Sequence, residues 1–359
     1  MTYDRSRMIV PPFTGWDNSL PAAFLPHNSF RQITGWLLNK GRIQSFPNFV
    51  AFNNPPNGEV IAGGITFQDV LGFNHTGILT KDKAYYLNGS GYLDQGNIAT
   101  GSVPSSNQTY SIEVFLNRMF WVNGTQILQW LDGSQGIQNN SDAPGGAYFL
   151  SKLGGSLFML NLVESSQRFP ISGRFSAINN HLEWNPAVDP TAGSFIIPEV
   201  EDEITGVAVI RDNMSIYRSH GISVLSKTGS LPRFALSNFN SGPSGVGVFY
   251  EYTLANYGDV SIFASEDDFY LFSLSTPEHI GGPAKKSIFA DLANASGRPW
   301  SCQLGQLAAG VDYRSYWLSI PLSNNTISSV WVFHFDDKSW VNEQLPYGAI
   351  SWMGNVAVS

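Results

Sequence analysis

The sequence predicts an all-β chain, a β-propeller of about six blades preceded by an extended N-terminal arm. Three observations predict it. A strand–turn–strand pattern recurs along most of the chain. The 359 residues are 43% hydrophobic and 13% aromatic but only 13% charged, while 35 Gly and 20 Pro supply the turns. No amphipathic helix stands out, because the nearest candidate, Lys286 to Ala295, is broken by Gly297 and Pro299. Few charges with many aromatics and turn formers suit short strands buried on both faces. Disorder requires the opposite balance.

Residues 1–58 read as an extended arm, punctuated by Pro11, Pro12, Pro21, Pro26, Pro47, Pro55 and Pro56. One hairpin is expected inside it, from Gln32–Leu38 through Asn39-Lys40-Gly41 to Arg42–Phe46. Residues 59–359 read as the propeller. Ile78-Leu79-Thr80 turns through Lys81-Asp82-Lys83 into Ala84–Leu87. Ile112–Leu116 turns through Asn117-Arg118 into Met119–Val122, and Phe149–Leu153 through Gly154-Gly155 into Ser156–Leu160. Val207–Ile210 turns through Arg211-Asp212-Asn213 into Met214–Tyr217, and Ser261–Ala264 through Ser265–Asp268 into Phe269–Phe272. The sixth runs from Gln306–Gly310 through Val311-Asp312 into Tyr313–Ile320. Third strands follow, as at Tyr92-Leu93 and Gln126–Trp130.

Successive aromatic pairs lie roughly 35 to 58 residues apart, near the length of a four-stranded blade. One small sheet cannot bury both faces, whereas sheets stacked in a ring bury them all and leave short edges. The competing architecture is a β-sandwich, or two all-β domains. The arm or the strand Ala349-Ile350-Ser351-Trp352 is expected to complete the first blade.

A net charge of −8 argues against tight duplex binding, which needs a basic patch. The densest cationic spot is Lys285-Lys286. An acidic wall past which DNA slides remains compatible, since it repels phosphate. The single cysteine, Cys302, forms no internal disulfide and no cysteine-based metal cluster, and reads as a small buried residue. Met1–Arg5 lacks an apolar signal region, and no apolar run reaches membrane-spanning length. The expectation is a soluble chain without membrane insertion, assembled in a reducing compartment. Asn-x-Ser/Thr triplets at Asn74, Asn88, Asn107, Asn123, Asn139, Asn213, Asn294 and Asn324 read as turn chemistry.

The search for chemistry assigns no catalytic, cofactor-binding or metal-binding residue. Glu199, Glu201, Asp202 and Glu203 cluster before a strand, and paired carboxylates serve glycosidases, but a solvated loop has the same composition. Glu266-Asp267-Asp268 sits in a hairpin turn. Asp336-Asp337-Lys338-Ser339-Trp340 faintly resembles a sialidase Asp-box without its flanking Ser and Gly. His27, His75, His181, His220, His279 and His334 show no helical ligand spacing. Gly154-Gly155 and Gly281-Gly282 are turn glycines, and Arg118, Arg174 and Arg314 read as turn anchors. Trp121, Trp130, Trp184, Trp300, Trp317 and Trp340 could stack on sugars, or could pack between blades.

Leu37–Pro47, Phe115–Gly124, Arg174–Trp184, Ile204–Tyr217, Tyr316–Pro321 and Val332–Trp340, in order from about residue 30 to 345, are similar to segments of the β-propeller virion proteins of tailed bacteriophages. The likeness is to the tail hub or nozzle of the packaged-DNA-stabilisation type. Leu37–Pro47 resembles that family's early strand, turn and basic-proline segment. Phe115–Gly124 resembles a blade hairpin ending in Asn-Gly, and Arg174–Trp184 its Ser-Ala…Trp segment. Ile204–Tyr217 resembles the strand pair that follows. Tyr316–Pro321 and Val332–Trp340 resemble the closing blade. Phe46 and Asn48 stand where the family pattern has Arg and Gly around Pro47.

The resemblance implies a non-enzymatic structural subunit of a phage tail, located in the virion and assembled in the host cytoplasm. It implies a homo-oligomeric, hexameric ring below the portal and adaptor, contacting other tail proteins. That ring would conduct DNA during ejection without sequence-specific binding and retain it beforehand. Six chains of −8 carry −48, so a lumen lined by part of this charge offers DNA few sticking points. No cofactor is implied. The alternative expectation is a carbohydrate-binding or glycan-hydrolysing propeller.

Overall fold

The structure is a computed structural model that describes residues 61–88, 91–98, 110–124, 127–134, 136–198, 202–239, 245–297, 299–304, 315–322 and 327–345. It also describes Pro56 and short strands at 15–16, 29–30, 36–39 and 42–45. Six four-stranded sheets follow one another along the chain, each with its strands in sequence order. They are the six blades expected from the sequence.

Blade 1 comprises Ile61–Gln68, Asn74–Thr80, Lys83–Asn88 and Gly91–Asn97. Blade 2 comprises Ser111–Phe115, Arg118–Val122, Gln129–Leu131 and Gln138–Asn139. Blade 3 comprises Gly146–Leu153, Ser156–Glu164, Gln167–Phe175 and Gly193–Ile196. Blade 4 comprises Ile204–Ile210, Asn213–Arg218, Gly221–Lys227 and Phe234–Asn238. Blade 5 comprises Ala255–Tyr257, Val260–Ala264, Phe269–Phe272 and Glu278–His279. Blade 6 comprises Trp300–Leu304, Ser315–Leu322, Ile327–His334 and Ser339–Leu345.

The chain divides into two compact units. One holds Val50–Glu278, Trp300–Cys302 and Ser351–Ser359, and the other holds Met1–Phe49, His279–Pro299 and Gln303–Ile350. In the first unit the apolar cores lie between consecutive blades, because each sheet buries side chains on both faces. Leu79 and Tyr86 of blade 1 pack with Met119 and Trp121 of blade 2. Phe120 and Trp130 pack with Leu157, Met159 and Trp184 of blade 3. Phe158 and Phe175 pack with Met214, Ile216 and Phe234 of blade 4, and Tyr217 with Phe263 and Tyr270 of blade 5. Blades 1 and 2 approach closely because Gly63 and Gly77 leave room: a Cβ there would collide with Ile112 and with the Met119 sulfur. A glycine inside a strand commonly marks such an approach.

The inner edges of the first strands are covered by side chains of neighbouring blades, which satisfies backbone groups that an edge strand leaves open. The Lys152 Nζ donates to the Val114 carbonyl at 2.7 Å, and the Ser111 hydroxyl accepts from the Leu150 N–H at 2.9 Å. Asn161 Nδ2 donates to the Ile204 carbonyl at 2.9 Å and Asn256 Nδ2 to the Val209 carbonyl at 2.6 Å.

The second unit contains most of blade 6, the expected arm hairpin of Trp36–Asn39 against Arg42–Ser45, and a short parallel pair of Gly15–Trp16 with Ser29–Phe30. It also contains a helix, Lys285–Ala293, which the sequence reading discounted. Gly297 and Pro299 lie beyond its end and so do not interrupt it. Its buried stripe is only Ile288 and Leu292, too narrow to register as an amphipathic repeat. What holds it is polar: Asp291 Oδ2 accepts from the Ser329 hydroxyl at 2.6 Å and from the Trp331 indole N–H at 2.8 Å. Asp291→Ala is expected to lower stability by ~2 kcal/mol, since both donors lose a charged acceptor. Asp291→Asn should lose less. Urea unfolding of the two variants checks the order.

Three further details differ from expectation. The turn in blade 2 is Leu116-Asn117, one residue early, with both residues at positive φ. Asn117 is held there by its Nδ2, which donates to the Asp69 carbonyl of blade 1. In blades 1 and 5 the expected hairpins are the second and third strands, preceded by Ile61–Gln68 and Ala255–Tyr257. In blade 6 the first strand is Trp300–Leu304, whereas the expected strand at Gln306–Gly310 lies outside the described residues.

Candidate functional site

The first strands of blades 2 to 5 enclose a cavity of about 470 Å³ within the first unit. Its wall is mostly apolar and aromatic, with Ile112, Tyr148, Val207, Tyr252 and Leu254. The lining also carries charged groups. Glu113 and Lys152 pair at 3.2 Å, and the Glu113 carboxylate also accepts from the Val114 N–H. Burial pushes the Glu113 carboxyl up from its ordinary value, opposed by the Lys152 ammonium. Outside the lining, Arg168 lies 4.5 Å over the ring of the lining residue Tyr148, donates to Asn161 Oδ1 and pairs with Glu203 at 2.5 Å. Thr205 Oγ1 lines the cavity, is buried, and has no hydrogen-bond partner among the described residues. The described lining contributes one carboxylate, whereas glycoside hydrolysis by the usual route employs two.

Asp202, Glu203, Glu266, Asp267 and Asp268, among the carboxylates singled out in the sequence, are engaged in contacts within the protein. Glu203 holds Arg168. Asp202 accepts from the His220 N–H at 2.7 Å and lies 3.9 Å from Arg218. Glu199 and Glu201 lie outside the described residues. In the blade 5 turn, Asp268 accepts from the Phe269 N–H, Asp267 accepts from the Tyr270 hydroxyl, and Glu266 reaches His220 at 4.0 Å. Asp336, Asp337 and Lys338 lie in the turn between the last two strands of blade 6, and Ser339 opens the last strand.

Tryptophans 121, 130, 184, 317 and 340 are all buried. A sugar-stacking platform must be open, so these five are packing residues; the Trp300 side chain lies outside the described residues. His75 pairs with Asp69 at 2.9 Å, while His181 and His334 are buried. His27, Arg314 and the Cys302 side chain lie outside the described residues. Arg118 donates to the Leu116 carbonyl, and Arg174 to Glu164 and to the Trp184 carbonyl, so both do anchor turns. Among the described residues no group of three or more His, Cys, Asp or Glu is placed to hold a metal ion. No helix among them is long and apolar enough to cross a membrane.

What the sequence reading missed is an apolar surface. Val70, Leu71 and Phe73 project from the first turn of blade 1, and Ile178, Leu182, Val188 and Leu231 from turns of blades 3 and 4. The signal was present in Asp69-Val70-Leu71-Gly72-Phe73-Asn74, where a turn between strands carries three large apolar residues. Such a run also reads as strand, and so it passed unnoticed.

Six consecutive four-stranded antiparallel blades, the first five with apolar and aromatic cores between neighbours, define a β-propeller. No family model matches the sequence, and no curated protein matches it. Among solved structures, the chain is similar to BamB from Moraxella catarrhalis, at 11% identity and a TM-score of 0.45, covering 84% of this chain and 79% of that one. It is also similar to Hsv2p of Kluyveromyces lactis, at 9% identity and a TM-score of 0.38, covering 76% and 80% respectively. At such identities the likeness concerns fold and carries nothing about ligands or partners.

Proposed function

We propose that this propeller is a non-enzymatic structural subunit of a tailed-phage virion. In this reading it is a hub or nozzle component that lines part of the DNA ejection channel below the portal and adaptor and helps retain packaged DNA. The observation that most supports a structural role is the use made of the candidate chemical groups. Five of the six singled-out tryptophans fill the spaces within and between blades, and Asp202, Glu203, Asp267 and Asp268 bond to neighbouring protein groups. The described members of the two features that had favoured a carbohydrate role thus make contacts within the fold. The specific assignment to a phage tail is supported by the ordered sequence resemblance and by the acidic net charge of −8, which suits a wall past which DNA slides.

The test is the solution mass and negative-stain image of the purified chain, alone and mixed with phage portal complexes. Rings, or attachment to the portal complexes, are expected. A chain that ignores the portal complexes and binds a glycan array would overturn the proposal.

A further inference from the structure

We infer that the cavity between the first strands of blades 2 to 5 is a binding site for a zwitterionic amino acid with an apolar side chain. This goes beyond the virion reading and does not depend on it. The cavity measures about 470 Å³, inside the range of about 300 to 1,000 Å³ over which small-molecule pockets occur. Ile112, Val207 and Leu254 make its wall apolar, and Tyr148 and Tyr252 add aromatic surface.

Glu113 and Lys152 are the only charged residues of the described lining. They come from different blades. Glu113 stands on the first strand of blade 2 opposite Phe120, and Lys152 on the first strand of blade 3 opposite Leu157. The Lys152 ammonium crosses between the two strands, 3.2 Å from Glu113 Oε1 and 2.7 Å from the Val114 carbonyl. The pair is only half used. Glu113 Oε1 takes both Lys152 and the Val114 N–H, while Oε2 accepts from no described residue. An ammonium has three hydrogens, and Lys152 spends two of them. An ion pair set among apolar groups is costly while lone pairs and protons of this kind stay open. Burial holds the Glu113 carboxyl above its ordinary value in spite of Lys152, so one neighbouring cation leaves the charged form under-compensated.

The spare acceptor and the spare donor together select the ligand. A bare cation that reaches Oε2 also meets Lys152, and a bare anion that reaches Lys152 also meets Glu113. Like charges at such range oppose binding. A molecule that brings an ammonium to Oε2 and a carboxylate to Lys152 satisfies both groups and adds no net charge to the cavity. An α-amino acid carries its two charges on adjacent carbons, close enough to address a pair 3.2 Å apart. Its side chain is left to the Ile112, Val207 and Leu254 wall. A charged side chain there would lose its water without finding a partner, so the apolar amino acids are selected.

The experiment is isothermal titration calorimetry of the full chain at neutral pH with L-phenylalanine and L-leucine. Both are expected to bind saturably. 3-Phenylpropanoate, phenethylamine and 3-phenylpropanamide keep the ring but lack the ammonium, the carboxylate or both charges. Each should bind about tenfold or more weakly, since each forfeits a charged hydrogen bond. Glu113→Gln should weaken phenylalanine and strengthen 3-phenylpropanoate, whereas Lys152→Met should weaken phenylalanine and strengthen phenethylamine. A merely structural role for the pair would not reverse these preferences. The double variant leaves neither charge unpaired, so it should keep the parent's circular dichroism and melting temperature while losing phenylalanine. No saturable heat with either amino acid overturns the inference. So does a half-molecule or the amide binding as tightly as phenylalanine, and so does parent-like selectivity in either single variant. Failure here leaves the portal-binding test of the virion reading untouched, and a chain that ignores portal complexes can still bind phenylalanine.

Discussion

Trp184→Ala is expected to lower the unfolding free energy by ~3–5 kcal/mol, the range for truncating a large buried aromatic. Trp184 belongs to no strand. It lies in the long connection between the last two strands of blade 3, fully buried in the core shared by blades 2 and 3. Its indole N–H donates to the His181 carbonyl at 2.8 Å, and its own carbonyl accepts from Arg174. Alanine would leave a void between two sheets that cannot close on it, because both are pinned by their other neighbours. Trp184→Phe retains much of the volume and forfeits one hydrogen bond, so a loss of about 1 kcal/mol is expected. Urea unfolding followed by far-UV circular dichroism measures both. A cost below that of the Phe variant for Trp184→Ala would mean the connection does not dock between the blades.

The stability of the chain is expected to fall as pH drops from about 6.5 towards 4. His181 lies edge-on to Phe120 and Trp130, with ring centroids 5.2 and 5.0 Å away. Burial pulls its pKa down to about 4, the nearby positive charge of Arg118 adds to the effect, and Asp132 opposes it. Burial likewise takes His334 to about 4, against the opposing charges of Asp337 and Asp336. In the unfolded chain both titrate near 6.5. Between these values the unfolded chain takes up protons that the folded chain refuses, so stability rises with pH through this window. Above it both histidines are neutral in either state and contribute no slope. The difference amounts to about 2 kcal/mol per histidine at pH 5. Carboxylates held low by hydrogen bonds, such as Asp69 and Asp189, act in a separate window, below their ordinary values. His181→Phe should remove about half of the slope between pH 6.5 and 4.5. Denaturant midpoints that stay flat from pH 7 to pH 5 would contradict the prediction.

Turn chemistry and aromatic pairing made the blades readable before any coordinates. Gly154-Gly155 takes positive φ at both positions, as a two-residue hairpin requires, and the strands on either side fall where the sequence places them. Ile61–Gln68 was less legible because Gly63 and Gly64 dilute its strand signal, although Gly63 is what admits Ile112 of the next blade. Ala255–Tyr257 is too short to announce itself. The helix Lys285–Ala293 draws its support from Asp291 and two partners about 40 residues away, a relation no local period encodes. The cavity was illegible for a similar reason. Glu113 and Lys152 become related only when separate blades are brought together.

Most polar links between adjacent blades share a nearly constant spacing in the chain, the exceptions being the bonds of Arg233 to Ser156 and Gly154, 77 and 79 residues apart. Lys152 to Val114 spans 38 residues, Leu150 to Ser111 39, Asn161 to Ile204 43, Asn256 to Val209 47 and Asn117 to Asp69 48. Each of the four joins among blades 1 to 5 therefore has at least one link that closes a loop of similar length and need not wait for a distant part of the polypeptide. Loop-closure entropy grows only slowly with length, so every successive join faces nearly the same barrier. During synthesis, where units fold as they emerge, blades 1 to 5 can be added one at a time onto the growing stack. Each newcomer covers the edge that its predecessor exposed to the crowded cell.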